Sequence, residues 1–301
     1  MDIAEVHKSH RVSQGKMLAT VALNLITTLV EFTGGILSNS LALVSDALHN
    51  LGDTFAITIS YIALKASKRS STVRKTFGFK RVEILVALFN STVLIAVSIF
   101  LFFEAYDRLA DPQPIRVNIM FWIALVGLLA NLFSVFLLRK DAGHNLNIRS
   151  AYLHLLGDTL SSVAVIIGSI LIRQYGLFWI DPVLTFLIGL FIIKETWSIL
   201  RETIEILMEA TPRELDLDFI KLEMEKHPKV ANIHHIHAWR LNDTEVHFQC
   251  HADISDNMPI LESDKVREEL EDILIKKFDI HHVTIQVEYD SCHDKNSIST
   301  S

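Results

Sequence analysis

The sequence predicts a membrane α-helical bundle of six transmembrane helices followed by a C-terminal α+β domain of order αββαβ. Three observations predict it. Half of the 301 residues are hydrophobic and the mean hydropathy is +0.32, too apolar for an ordinary soluble domain. Six apolar runs reach the ~20 residues that cross ~30 Å of hydrocarbon. Beyond Arg201 the pattern turns amphipathic, and acidic residues accumulate after Glu195.

The six spans fall at roughly 17–37, 41–64, 83–106, 117–138, 149–172 and 177–198. The expected division is a cytoplasmic N-terminal segment 1–16, a transmembrane domain 17–200, a cytoplasmic domain 201–290 and a disordered tail 291–301. The first run follows His7, Lys8, His10, Arg11 and Lys16. It is too long for a signal-peptide core and has no small-residue cleavage site behind it, so it is expected to stay as a helix. The tripeptide "SNS" between the first two spans demands an abrupt hairpin, and "RQYG" separates the last two. Lys65, Lys68, Arg69, Arg74, Lys75, Lys80 and Arg81 lie between spans two and three, and Arg139, Lys140 and Arg149 between four and five. The alternate loops hold only Arg108, Arg116 and Arg173, so both termini are expected in the cytoplasm.

In the C-terminal part, "TPRELDLDFIKLEMEKHPKV" reads as an amphipathic helix entered at Thr211-Pro212. "VANIHHIHAWRL" and "TEVHFQCHADI" alternate as strands, with Asn242-Asp243 as the turn between them. "PILESDKVREELEDILIKKF" is a second amphipathic helix, and "HHVTIQVEY" a third strand with Val283, Ile285 and Val287 on one face. That order suits a small sheet with helices on one side. The net charge of −7 hides basic short loops and an acidic C-terminal part, and no clustered basic face of a nucleic-acid binder occurs. Cys250 and Cys292 are the only cysteines, which excludes a disulfide framework.

The chemistry sits in the spans. His49 and Asp53 in the second are i, i+4 neighbours, and His154 and Asp158 in the fifth repeat the arrangement. Facing each other, they make an N₂O₂ set of the kind Zn²⁺ accepts. An ionisable group at membrane depth costs ~2.5–3.5 kcal/mol or more, so each needs a partner, a water-filled cavity or a task. A single such residue is as readily an interhelical hydrogen bond; the repeated pair makes the signal specific. Asp46 shares the face and is expected to stay outside the cage. Asn24, Asn90 and Asn131 read as interhelical hydrogen-bonders, and Glu31 as either helix packing or part of a proton or water path.

"SNSLALVSDALHNLGD", "KTFGFKRVEILVALFN", "HNLNIRSAYLHLLGDTLSSVAVIIG" and "IHHIHAW" together resemble the cation diffusion facilitator family of metal/proton antiporters, over residues from about 15 to 290. The resemblance implies a cytoplasmic ferredoxin-like domain, a homodimer and a transport site of His49, Asp53, His154 and Asp158, the set found in members selective for zinc. Cd²⁺ and Co²⁺ could also enter such a site. It further implies a cytoplasmic metal centre at His234, His251, Asp264 and Glu288, with Gln286 where some relatives carry another His. His235, His237, His247, His281 and His282 are alternative donors, and a solvated polar sheet face is the plainer reading. Cys292-His293 and the N-terminal "HKSH" are weaker candidates for metal capture. The loop 65–81 lacks the Asp and His of a further site seen in some members, and between spans four and five only His144 occurs. Arg81 matches a basic residue that pairs with an acid near the end of the sixth helix, where Met208 stands and Glu209 follows. With the compact loops, the resemblance implies a bacterial plasma membrane.

The implied activity is Zn²⁺ export against protons, because ligation needs neutral His and ionised Asp. The partners are then membrane lipids, protons and a second copy of the chain. Two rivals remain at this point. An intramembrane metalloenzyme would need an open coordination position and a general base, and no H-E-x-x-H motif occurs. A metal-sensing receptor that transports nothing is compatible with the same motifs.

Overall fold

The computed structural model describes residues 3–67, 71–139 and 146–290. Cys292, His293 and the tail 291–301, as well as Lys68, Arg69, Lys140 and His144, lie outside the described residues. The chain divides into two compact units, Met1–Tyr61 with Phe89–Leu200, and Ile62–Leu88 with Arg201–Ser301.

Six long helices belong wholly or mainly to the first unit: α1 (Ile3–Ser38), α2 (Leu41–Ser67), α3 (Val82–Ala110), α4 (Val117–Leu138), α5 (Leu146–Tyr175) and α6 (Ile180–Leu207). Residues 20–38 of α1, α3, α4, residues 152–175 of α5, and α6 are each long and apolar enough to cross a membrane. The sixth span, α2, has the matching length but is interrupted by Asp46, His49 and Asp53. Each expected span is present, most of them longer than the apolar run alone. The helix expected to begin near residue 17 instead starts at Ile3, so residues 3–16 and the first span form one helix.

The "SNS" hairpin is made by Asn39, whose φ of 61° lies in the left-handed region that Asn tolerates better than most residues. The hairpin is tied down on several sides. Arg116 N donates to Ser38 O at 2.8 Å, and an Arg108 guanidinium nitrogen donates to Asn39 O at 2.8 Å. The buried Asp181, at the start of α6, accepts from Leu41 N at 2.8 Å and from Ser40 Oγ. A carboxylate from one helix thus caps the free amides opening another.

In the second unit the order after α6 is α7 (Leu217–Glu225), β1 (Val230–Arg240), β2 (Val246–Ile254), α8 (Ile260–Phe278) and β3 (His282–Glu288), the expected αββαβ. The sheet order is β1-β2-β3, with β1–β2 antiparallel and β2–β3 parallel across α8. Ile220, Met224, Val266, Leu270 and Leu274 from the helices pack on Ile233, Ile236, Phe248, Cys250 and Ala252 of the sheet. Two boundaries differ from the sequence reading. The first helix begins at Leu217, not Pro212, because Asp216 caps it by accepting from Phe219 N at 3.0 Å. The hairpin is not a two-residue turn: Asn242 Oδ1 accepts from Thr244 N and Glu245 N, at 3.0 and 2.7 Å, and widens the connection to residues 241–245.

Candidate metal centres

The first site lies within the helices of the first unit. Asp53 Oδ2 is 3.5 Å from His49 Nε2 and 3.3 Å from His154 Nε2, and the two rings meet edge-on with centroids 5.6 Å apart. One donor atom from each of His49, Asp53 and His154 falls within a sphere where all lie within 4.8 Å of one another. Asp158 Oδ2 stands just outside this tight trio, 3.6 Å from His154 Nε2, and is buried. Helix geometry explains the convergence: each i, i+4 pair stacks on one face, and the two faces meet. His49 Nε2, Asp53 Oδ2, His154 Nε2 and Asp158 Oδ2 are all buried without a hydrogen-bond partner.

Asp46 stays apart, as expected, and accepts a hydrogen bond from Ser161 Oγ. Sequence reasoning missed Glu195. Its carboxylate, on α6, lies 4.0 Å from His49 Nε2 and adds a third helix to the site. Glu195 repeats no spacing shared with the His-x-x-x-Asp pairs, so only packing reveals it. Beside the site a cavity of about 270 Å³ is lined by Asp46, His49, Asp158, Ser161, Ile188 and Phe191, among others.

The second site lies on the sheet face away from α7 and α8. Strand alternation sends Phe248, Cys250 and Ala252 to the core and His251 to the other face. Antiparallel register places His234 opposite His251, and parallel register places Glu288 two residues beyond His251's partner Gln286. Glu288 Oε1 is 2.8 Å from His251 Nδ1, and Glu288 Oε2 is 3.6 Å from His234 Nε2. Gln286 donates to Glu288 Oε1 at 2.7 Å, so it orients this carboxylate.

The structure does not bring Asp264 to this group. Asp264 is exposed on α8, which covers the opposite face of the sheet, and pairs with Arg267 at 3.3 Å. The His235 ring lies beside the group instead. A register shift between His234 and His237 and a φ of 50° at His235 turn consecutive histidines toward one another, with the His235 ring centroid 4.8 Å from that of His251 and 5.3 Å from that of His234. A bulge of this kind re-aims a side chain. Donor atoms of His234, His251 and Glu288 all lie within 4.8 Å of one another, and both ring nitrogens of His234 are buried without a hydrogen-bond partner. Two imidazoles and a carboxylate thus fit a borderline metal such as Zn²⁺, with the His235 ring beside them.

The other histidines go elsewhere. His247 and His282 face each other, with centroids 4.7 Å apart, and Trp239 stacks on His247. His237 and His281 are exposed. Burial pushes the His247 pKa below its ordinary value, with the His282 ring and the Lys80 and Arg81 cations also lowering it. The expected acid near the end of α6 is Glu209: its carboxylate is 2.7 Å from the Arg81 guanidinium, and its φ of 57° terminates the helix in the left-handed region.

A set of membrane-crossing helices with imidazoles and carboxylates converging among them defines a polytopic membrane protein that handles cations. The family profile described as the cation efflux transmembrane domain matches residues 17–208, and that described as the cation efflux protein cytoplasmic domain matches residues 212–290. The chain belongs to this cation efflux family of transporters, the cation diffusion facilitators, and is not an enzyme. Among its relatives is the "cadmium, cobalt and zinc/H(+)-K(+) antiporter" of Bacillus subtilis, 34% identical over 96% of this chain and 94% of that protein. The metal cation efflux system protein CzcD of Cupriavidus metallidurans is 37% identical over 92% and 88%, and the zinc transporter ZitB of Escherichia coli 38% over 88% and 84%.

Proposed function

We propose that the protein exports Zn²⁺ from the cytoplasm in exchange for protons. The metal is held between α2 and α5 by His49, Asp53, His154 and Asp158. The observation that carries this reading is the convergence of unpartnered His49, Asp53 and His154 donor atoms, with Asp158 3.6 Å from the last. Two imidazoles and two carboxylates fill a tetrahedron and select borderline over hard cations, with Cd²⁺ and Co²⁺ as further substrates. The names of the relatives, which include zinc, cadmium, cobalt and protons, support the same range. Metal entering a partly protonated site displaces protons, and protons arriving on the far side release the metal. Rocking of helices about a site at mid-depth would alternate its exposure.

The chain functions as a homodimer in a bacterial inner membrane, with residues 17–200 among lipids and both termini in the cytoplasm. A family domain described as cytoplasmic and the basic loops support this. In residues 201–290, His234, His251 and Glu288, with His235, hold a second Zn²⁺ that reports cytoplasmic metal and steadies the dimer for transport. The discriminating experiment is zinc flux into proteoliposomes under a pH gradient. Native protein should transport, and Asp53→Ala and Asp158→Ala should not. Normal flux in both variants would remove the site assignment, and metal binding without flux in the native protein would favour a sensor.

A further inference from the structure

Outside the cage, a second set of buried polar groups lies between α1 and α4. Thr20, Asn24, Thr27 and Glu31 recur along α1 at spacings of four, three and four, the period of one helix face. On α4, Gly127, Asn131 and Ser134 are buried, and α1 packs against α4. Glu31 is fully buried. Its Oε2 accepts from Asn50 Nδ2 at 3.2 Å, and its Oε1 rests on Gly127, where no Cβ would fit. Thr20 Oγ1, Asn24 Oδ1, Glu31 Oε1, Asn50 Oδ1 and Asn131 Nδ2 are all buried without a hydrogen-bond partner.

Polar groups that only glue helices together are paired with one another. Beyond the Asn50–Glu31 bond these atoms are not, and hydrocarbon offers no substitute partner. The charged groups facing Glu31 are Asp46 of α2 and Asp158 of α5, both acidic, while α4 presents Gly127 and Asn131, neither of which titrates. An enclosed carboxylate facing two more acids needs a positive charge, and a proton is the one that fits against Gly127.

We propose that Glu31 is a proton-carrying site separate from the metal cage, fed along the hydrated seam between α1 and α4. When Zn²⁺ enters the cage, its charge compensates the neighbouring acids. The Glu31 carboxyl O–H bond then breaks, and its proton leaves to water in the seam. When the metal departs, the carboxylate takes a proton back. Asn50 holds Glu31 and is the chain neighbour of His49, which places the exchange beside the cage without making Glu31 a ligand. The cavity beside the cage is lined by α2, α5 and α6 and by no residue of α1 or α4.

This inference rests on the antiport reading, and one experiment separates the two. Protons released on Zn²⁺ binding are counted with a pH indicator, using the full chain in detergent. Glu31→Gln should bind Zn²⁺ with native stoichiometry but more weakly, with a pH dependence shallower by about one proton, and release about one proton fewer per protomer, and Glu31→Asp should restore both. Asn131→Leu should slow proton release without changing the count. Unchanged release from Glu31→Gln would overturn the proposal and leave antiport standing, whereas no release from the native protein would overturn antiport itself. Replacing potassium by choline should change nothing; a count that shifts in native protein but not in Glu31→Gln would make the site one for a metal cation and sink the proton assignment.

Discussion

Asp53→Asn is the perturbation from which the metal cage stands to lose most. Asp53 Oδ2 is 3.5 Å from one imidazole and 3.3 Å from the other, whereas Asp158 lies 3.6 Å from His154 and Glu195 4.0 Å from His49. Four-ligand zinc sites carry binding free energies of ~10–16 kcal/mol, so an equal share is ~3 kcal/mol per ligand. At about 1.4 kcal/mol per decade, losing one ligand weakens binding ~10²-fold. Asp158→Asn should cost less, about 10-fold on the same scale, because the Glu195 carboxylate can close on the metal from α6. Adding Glu195→Gln to Asp158→Asn should then bring the loss to the Asp53→Asn level. The assay is calorimetric titration of metal-stripped full-length protein with Zn²⁺, in a His251→Ala background that leaves one site to titrate. An Asp53→Asn affinity within threefold of native would refute the geometry, and so would a Glu195→Gln substitution without effect on Asp158→Asn.

Other outcomes follow from the second unit. Leu270→Ala removes a fully buried side chain and should cost ~2–5 kcal/mol, read as an earlier thermal transition in near-ultraviolet circular dichroism. The Arg81–Glu209 pair is partly exposed, so Arg81→Gln should cost under ~1 kcal/mol by the same melt, and exchanging the two residues should restore the native value. His247 has its pKa lowered by burial, so its contribution to stability is complete above its unfolded value of ~6.5 and is lost as pH falls through the lower folded value. His247→Gln should flatten that part of a melting-temperature profile. Burial pushes the Cys250 thiol up to about 12, so in a Cys292→Ser background N-ethylmaleimide should label it only after unfolding.

Much of this architecture was legible because membrane spans and amphipathic elements write their periods into the chain. The αββαβ order and the packing of Val283 and Ile285 on the core follow from strand alternation. The two His-x-x-x-Asp pairs announced themselves by repetition. What stayed hidden depends on geometry that no period encodes. His235 reaches His251 only because a bulge and a left-handed φ break the alternation. Asp264 looked eligible by alignment with the motif, but its helix covers the other face of the sheet. Glu195 is one of four acids on α6 and shares no motif with the His-x-x-x-Asp pairs, so its approach to His49 is a matter of packing. The hairpin loop widened because the Asn242 side chain gathers backbone amides that a two-residue turn would not present.

The cap that Asp181 places on the first turn of α2 makes that helix a lever with a fixed pivot. From Leu41 to Asp53 the arm is about 18 Å at 1.5 Å per residue, so a tilt of about 10° swings the carboxylate by about 3 Å. Such a swing exceeds the tolerance of a tetrahedral metal shell, so on the proposed reading a small rotation would make or dismantle the site. Because the pivot is a side chain of α6, the helix that presents Glu195 is tethered to the arm it meets.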